Sequence, residues 1–195
     1  AITFILFIPY KIKVLSISGY FSSITMGALI ILFGNTVQFI LIALFFVLSS
    51  FLNLIIKKYT LRRSKNSHRN ILQVICNGGV AICICIYEYF NPNPINIYLY
   101  AATVAAAMSD TWATEFGKLS ESKPISITSF RPVEHGLSGG ITMIGILGSL
   151  LGSSIIGLAT YLIIGSELIL IFSIIFTGFL SALFDSLLGD KLQGK

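Results

Sequence analysis

The chain carries little charge for its length. Of its 195 residues only 11% are charged, while 55% are hydrophobic, and the mean hydropathy is +0.88. Soluble domains carry about 25% charged residues, so this chain has too little polar surface to cover a water-soluble globule. The composition therefore excludes a soluble domain and predicts an integral membrane protein.

Cysteine and histidine are scarce as well. The three cysteines, Cys76, Cys83 and Cys85, lie in one apolar segment, and their spacing without a nearby histidine does not match the usual zinc sites. We interpret them as packing residues. His68 lies in a basic segment and His135 stands alone, so the sequence indicates neither a Ser-His-Asp nor a Cys-His nucleophile.

Long apolar segments are what the sequence has in abundance. A membrane-spanning helix needs about 20 mainly apolar residues, and a backbone in hydrocarbon must satisfy its own hydrogen bonds, which favours helices. Strand-like alternation is absent. The sequence predicts an all-α, polytopic transmembrane helix bundle of about six to seven spans, which forms a single integral membrane domain over residues 1–195. The candidate spans are 1–10 (short), 14–34, 37–56, 71–90, 96–116, 137–164 and 167–188.

Basic residues are concentrated in the loop 57–70, which holds six Lys and Arg residues. The positive-inside rule places this loop in the cytoplasm, and the flanking spans disfavour nucleic acid as its partner. Counting spans outward, the loop 117–136 is also cytoplasmic and the uncharged Asn-Pro-Asn-Pro turn at 91–94 is external. The same cytoplasmic face then carries the acidic residues Asp110, Glu115, Asp185 and Asp190.

Two carboxylates, Asp110 and Glu115, end an alanine-rich apolar run in the stretch SDTWATEFG. Ionisable groups at the end of a span usually face a polar cavity or a partner. Five residues apart, they lie roughly 140° around a regular helix. They can share a ligand only if the helix ends or unwinds between them; otherwise each meets a different partner. The alternative to a site is that both carboxylates reach the membrane interface.

A glycine-rich turn follows in FRPVEHGLSGGITMIG. We expect Ser138, Gly139 and Gly140 to open a helix and present N–H groups to phosphate, with Arg131 as a bidentate clamp. The alternative is that the glycines merely permit close packing. Asn77, followed by two glycines inside a span, is either another polar site residue or an interhelical hydrogen-bonding group.

Together these features predict magnesium-dependent phosphoryl or nucleotidyl transfer at the cytoplasmic face. Carboxylate oxygens suit Mg²⁺, which also bridges substrate phosphates, and such catalysis is mostly positioning and charge neutralisation. Our hypothesis is that Asp110 and Asp185 hold Mg²⁺ and that Glu115 is a further ligand or an orienter of ligands. Arg131 and the Ser138–Gly140 turn would bind phosphates, with Lys118 as a charge partner.

Several stretches, read in order from about residue 14 to the end, resemble one family. They are SGYFSSITMGALIILFG, RNILQVICNGG, SDTWATEFGKLS, PVEHGLSGGIT and DSLLGDKLQ. The family is the multi-spanning one that includes transmembrane protein nineteen and the plant phytyl-phosphate kinase, and its most specific motif lies at Asp110 to Gly117. The resemblance implies the site positions Asp110, Glu115, Arg131, Ser138, Gly139, Gly140 and Asp185, with Asn77 as a second-rank position.

The resemblance also implies the reaction: an isoprenoid monophosphate, such as a phytyl or prenyl phosphate, is phosphorylated to the diphosphate by a CTP-type nucleotide. Members of that family usually continue past the position of Lys195 into another loop and a closing span. The expected partners are a nucleoside triphosphate, an isoprenoid lipid monophosphate and membrane lipid, with Mg²⁺ as cofactor; a homo-oligomer stays open.

Two other functions compete with the kinase. A CTP-dependent cytidylyltransferase would use the same groups but release pyrophosphate from CTP. A transporter for a small anion or lipid would show inverted repeats and broken helices near the middle of the membrane. The sequence has no convincing internal repeat, and its acidic groups gather at one face.

Overall fold

The computed structural model describes residues 15–60, 70–165 and 167–193. The short candidate span 1–10 and most of the basic loop 57–70, at residues 61–69, lie outside the described residues. Within those ranges the chain forms six helices and one pair of short strands. They are α1 Ile17–Phe33, α2 Thr36–Tyr59, α3 Ile71–Phe90, α4 Asn96–Gly117, β1 Ile125–Ser126, β2 Gly140–Ile141, α5 Met143–Ile164 and α6 Leu168–Gln193.

The predicted all-α membrane bundle is confirmed. Helices α2, α3, α5 and α6 are long and apolar enough to cross a membrane, and α1 is a shorter apolar helix. Most helix bounds lie close to the predicted spans. The exceptions are α5, which begins at Met143 rather than near residue 137, and α6, which continues to Gln193 rather than ending near residue 188.

Polar side chains cap the starts of four helices. The first N–H groups of a helix have no partner within it, and short polar side chains supply one. Ser16 accepts from Gly19 N at α1, and Thr142 accepts from Gly145 N at α5. Asn35 and Asn70 form capping boxes with Gln38 and Gln73 at α2 and α3. These caps set where each helix begins.

Successive helices run in opposite directions. One end of the bundle carries the connection 118–142. Helices α2, α4 and α6 terminate at this end, and helices α3 and α5 begin there. We call this the loop end. At the opposite end, the start of α2 meets the end of α3, where Gln38 Nε2 donates to Glu88 Oε2. The bundle thus has one end with a long structured connection and one with short turns.

Helix α4 lies at the centre of the bundle and packs against α2, α3, α5 and α6. Several of its residues, including Tyr100, Ala101 and Val104, are fully buried. A helix surrounded by other helices is shielded from lipid, so it tolerates the Asn, Ser, Asp and Glu residues that make α4 less apolar than its neighbours. The least apolar of these helices is therefore the innermost one.

Glycines on α5 allow close contact with α4. A Cβ at Gly145 would lie 2.9 Å from the carbonyl oxygen of Ala113, and one at Gly152 would lie 2.9 Å from that of Met108. The hydroxyl of Ser109 donates to the Ser149 carbonyl at 2.9 Å. Small residues let membrane helices approach to backbone contact. This contact holds the loop end of α4 rigidly beside the start of α5.

Candidate functional site

Two acidic residues, Asp110 of α4 and Asp185 of α6, come together near the loop end. The two helices run in the same direction and touch where a Cβ at Gly178 would lie 2.9 Å from the Cβ of Ala105. At 1.5 Å per residue, Asp110 lies about 8 Å and Asp185 about 10 Å beyond this contact. The carboxylates are close enough to repel each other, with Asp110 half-buried and Asp185 exposed. The fold thus places two acidic side chains at a similar depth on neighbouring helices.

The glycine-rich turn packs on α6 one helical turn beyond Asp185. A Cβ at Gly189 would lie 3.1 Å from the Cβ of Ser138, so the turn touches this face of the helix. Gly139 has φ +82°, in the left-handed region, and its Cα lies against the backbone of Asp190. Only a residue without a side chain fits there without strain. Packing therefore holds Ser138 and Gly139 on α6 one helical turn beyond Asp185.

Asp190 anchors the connection to α6. Its Oδ2 accepts hydrogen bonds from the Ser126 hydroxyl at 2.6 Å, from the Thr128 N–H at 3.0 Å and from the Thr128 hydroxyl. Beside these bonds, β1 pairs antiparallel with β2, with Ser126 opposite Gly140. One carboxylate thus ties together β1, the segment after it and the last turns of α6.

Replacing Asp190 by alanine should loosen the connection, because three donors lose their acceptor. We expect endoproteinase Glu-C, which cleaves after glutamate, to cut after Glu121 and Glu134, both exposed, several-fold faster in Asp190→Ala than in the parent chain. Mass spectrometry of the fragments measures this rate. Lys191→Gln, a change at the neighbouring exposed position, is the control and should cleave at the parent rate. Equal rates in both variants would contradict the anchoring role.

Glu115 faces α2 and not the carboxylate pair. Its Oε1 accepts from Asn53 Nδ2 at 2.9 Å and from Lys118 Nζ at 2.7 Å, and the residue is 7% exposed. Helix α4 continues regularly through Gly117, so the five-residue spacing keeps Glu115 well around the helix from Asp110. Each carboxylate thus has a different partner, the second of the two arrangements that the spacing allowed.

Several buried polar atoms on α2 and α4 have unused hydrogen-bonding capacity, and one of them belongs to Glu115. In the described part of the chain, the buried side-chain atoms without a hydrogen bond are Glu115 Oε2, Trp112 Nε1, Ser49 Oγ and Ser50 Oγ. Ser49 lies one helical turn before Asn53, which contacts Glu115. Such buried groups are uncommon and need an explanation. Here Ser49 and Ser50 belong to α2, and Trp112 and Glu115 belong to α4.

Lys118 compensates the buried charge of Glu115. Removing one partner of a buried ion pair leaves the other uncompensated, and the Lys118 side chain is only 29% exposed. Lys118→Met should therefore lower the free energy of unfolding by about 1–3 kcal/mol, below the cost of breaking a fully buried pair. Thermal unfolding in detergent measures the loss. Adding Glu115→Gln should restore much of the stability; a double variant that is no more stable than Lys118→Met would contradict this.

The remaining predicted residues are dispersed. Arg131 is exposed on the connection, and Asn77 lines an apolar cavity between α1, α2 and α3. The expectation that the glycines open a helix is wrong: Gly140 belongs to β2, its N–H donates to the Leu137 carbonyl, and α5 starts later. A Cβ at Gly140 would lie 3.0 Å from Pro124, so this glycine serves packing within the connection.

A three-carboxylate magnesium set is not assembled. Among residues 15–60, 70–165 and 167–193, no three His, Cys, Asp or Glu side chains are grouped as metal ligands. Asp110 and Asp185 nevertheless fit Mg²⁺, because this ion is usually held by one or two carboxylates together with waters and substrate phosphates. Glu115 is placed to support the end of α4 instead.

Two structural residues, Asn53 and Asp190, were not selected from the sequence. Asn53 is an amide residue inside an apolar span, which is a usable signal because such residues usually meet a partner. The sequence places Asp190 with the other acidic residues of one face but does not indicate its structural role. Its partners, Ser126 and Thr128, lie more than 60 residues away in the sequence, and only the folded connection brings them near.

Comparison with known proteins places the chain among membrane proteins. A family model described as "Integral membrane protein DUF92" matches residues 1–195. Membrane protein MJ0933 of Methanocaldococcus jannaschii is 33% identical over 186 residues, which cover 95% of this chain and 77% of that protein. Protein PGR of Arabidopsis thaliana is 29% identical over 222 residues, covering 97% and 75% of the two chains. No solved structure matches the chain.

Proposed function

The chain belongs to the DUF92 family of integral membrane proteins, and we propose that it transfers a phosphoryl group from a nucleoside triphosphate of the CTP type to an isoprenoid monophosphate. The product would be the isoprenoid diphosphate. The site is the carboxylate pair Asp110 and Asp185 with the adjacent Ser138–Gly139 turn. In this proposal the loop end faces the cytoplasm, where nucleotides are available.

One observation carries the proposal. Asp110 and Asp185 lie at a similar depth on the neighbouring helices α4 and α6, and the glycine turn packs against α6 one helical turn beyond Asp185. Like charges held together favour a cation between them. A glycine turn lets a phosphate approach the backbone closely, because no side chain intervenes. Enzymes of phosphoryl transfer typically combine ligands for a cation with a backbone that a phosphate can approach.

The reaction needs few groups from the protein. A lone pair on an oxygen of the acceptor monophosphate forms a bond to the γ-phosphorus, and the bond from that phosphorus to the bridging β,γ-oxygen breaks. Its electron pair stays on the nucleoside diphosphate. The second pKa of a phosphate monoester is about 6, so near pH 7 the attacking oxygen carries no proton and requires no general base. The protein's task is to bring two anions together.

Asp110 and Asp185 would hold Mg²⁺, which when bound neutralises the charge on the transferring phosphoryl group. Ser138 would donate a hydrogen bond to a phosphate oxygen from its exposed position next to Gly189. Asn53, Glu115 and Lys118 hold the end of α4 and so orient Asp110. The acceptor lipid reaches the site from the membrane, since the bundle exposes apolar helix faces on its sides.

The test is incubation of the purified protein with γ-labelled CTP or ATP, Mg²⁺ and a panel of prenyl and phytyl monophosphates. We expect label in a lipid diphosphate, with release of the nucleoside diphosphate. Release of pyrophosphate with the nucleotide attached to the lipid would establish the cytidylyltransferase instead. Uptake of phosphate or lipid into proteoliposomes without any chemical conversion would establish a transporter and refute the kinase.

A further inference from the structure

A cavity of about 180 Å³ lies between α1, α2 and α3, away from the carboxylate pair. Helix α1 packs along α3, where Met26 Sδ lies against Gly78, whereas α2 packs along α4. The space between α2 and the other two helices is the cavity. Its walls are mostly apolar and aromatic side chains, among them Ile30, Phe39, Phe45 and Phe46.

The cavity is polar at one end only. Three polar residues line it: Ser23, Gln73 and Asn77. All three lie in the first two turns of α1 or α3, which begin at the loop end, while Ile30 and Phe39 lie toward the opposite end. A cavity with this gradient fits a molecule with one polar end and one apolar end. The polar end must point to the loop end.

The polar end of the cavity lies at the depth of Asp110. Tyr100 of α4 donates to the Gln38 carbonyl of α2, and Asn53 of α2 donates to Glu115 of α4. In both pairs the residue numbers differ by 62, so α2 and α4 run in the same direction and a residue of α2 lies level with the residue of α4 that is 62 positions later. By this offset, the cavity-lining segment 39–47 of α2 ends level with residue 109, next to Asp110. From there it extends about 12 Å away from the loop end. A lipid bound in the cavity would therefore hold its phosphate at the depth of Asp110 and its tail along this segment.

The volume selects a single chain. An apolar cavity of about 150 Å³ holds one benzene-sized guest, so 180 Å³ encloses part of one hydrocarbon chain and not two side by side. It is also smaller than the roughly 300–1,000 Å³ of pockets for drug-sized ligands, and its apolar walls do not suit a nucleotide. The fitting occupant is one apolar chain whose remainder extends along the lipid-facing surface.

We propose that this cavity binds the hydrocarbon tail of the single-chain isoprenoid monophosphate, with Ser23, Gln73 and Asn77 at its phosphate-proximal end. This inference rests on the proposed function for the identity of the lipid. It gives Asn77 a role beside the lipid and not at the cation. It also predicts that a single-chain lipid is preferred to a two-chain phospholipid, whose second chain has no place in the cavity.

The test is photolabelling of the purified full chain with a farnesyl monophosphate that carries a diazirine in its terminal isoprene unit. We expect label in the segment 39–47 and at Met26. Ala43→Phe fills the cavity and should reduce this labelling about tenfold or more, as expected for a filled apolar pocket. Ala28→Phe makes the same change at an exposed position of α1 and should label like the parent chain. Gel filtration identifies any variant that does not fold.

A second variant keeps the test decisive if Ala43→Phe does not fold. Phe46→Ala enlarges the cavity, so a geranylgeranyl probe should gain labelling relative to the farnesyl probe. Three outcomes would each overturn the proposal. They are label outside the cavity, equal labelling of Ala43→Phe and Ala28→Phe, and a two-chain phosphatidic acid that competes with the probe as well as unlabelled farnesyl monophosphate does. If phosphoryl transfer occurs with an unchanged KM in Ala43→Phe, the tail site is wrong and the kinase stands. If the cavity is labelled but no transfer occurs, the tail site stands and the kinase is wrong.

Discussion

Asp110→Asn should lower kcat for phosphoryl transfer by about 10²–10³-fold and leave the protein folded in detergent, because removal of one preorganised charged group from such a site typically has this effect. Asparagine has nearly the same shape as aspartate, so the half-buried position keeps its packing. Asp185→Asn should have a similar effect from the exposed side of the pair. Steady-state kinetics with labelled nucleotide measures both.

The double variant Asp110→Asn/Asp185→Asn tests whether the two carboxylates act as one unit. Residues that act together show strongly non-additive effects, so we expect the double variant to be little slower than either single variant. Glu121→Gln, at an exposed position on the connection, is the matched control and should retain parent activity. Two results would remove the carboxylate pair from the site. One is full activity in Asp110→Asn, and the other is a loss of kcat in the double variant equal to the product of the two single losses.

Gly139→Ala should have the second large effect, through the docking of the connection. A Cβ at Gly139 would lie 2.6 Å from Asp190 Cα and 2.7 Å from its backbone nitrogen, so the turn or the end of α6 must move. The residue also has φ +82°, where a side chain costs about 1–2 kcal/mol. Because Ser138 would move with the turn, we expect loss of most of the transfer activity and a lower melting temperature in detergent.

Gly136→Ala separates the two causes. Gly136 also has a left-handed backbone, with φ +88°, but a Cβ there would meet no atom within 4 Å. It should therefore show only the backbone strain, which is a small drop in melting temperature with activity largely retained. If both alanine variants lose activity equally, the contact between Gly139 and Asp190 is not what positions the turn.

The sequence indicated that Asp110 and Asp185 need a partner more clearly than it indicated the contacts of the residues around them. Both are acidic residues late in apolar segments, where a charge is costly and so indicates a partner. Glu115 is likewise an acidic residue late in an apolar segment. Its direction depends on whether α4 stays helical to Gly117, which the sequence does not determine. The glycine turn was found from its composition, whereas its place before α5 and against α6 follows from the β1–β2 pairing and from Asp190.

The amino-acid sequence by itself determined that the chain is a helical membrane bundle and where most helices begin and end. This follows because hydrocarbon forces each span to satisfy its own backbone hydrogen bonds, a local requirement that is readable from hydropathy and capping residues. The tertiary structure alone decided which polar groups meet. Helix rotation sends Glu115 to Asn53 and Asp110 to Asp185, and a folded connection brings Ser138 to α6; such contacts join residues far apart in the chain and depend on packing over the whole bundle.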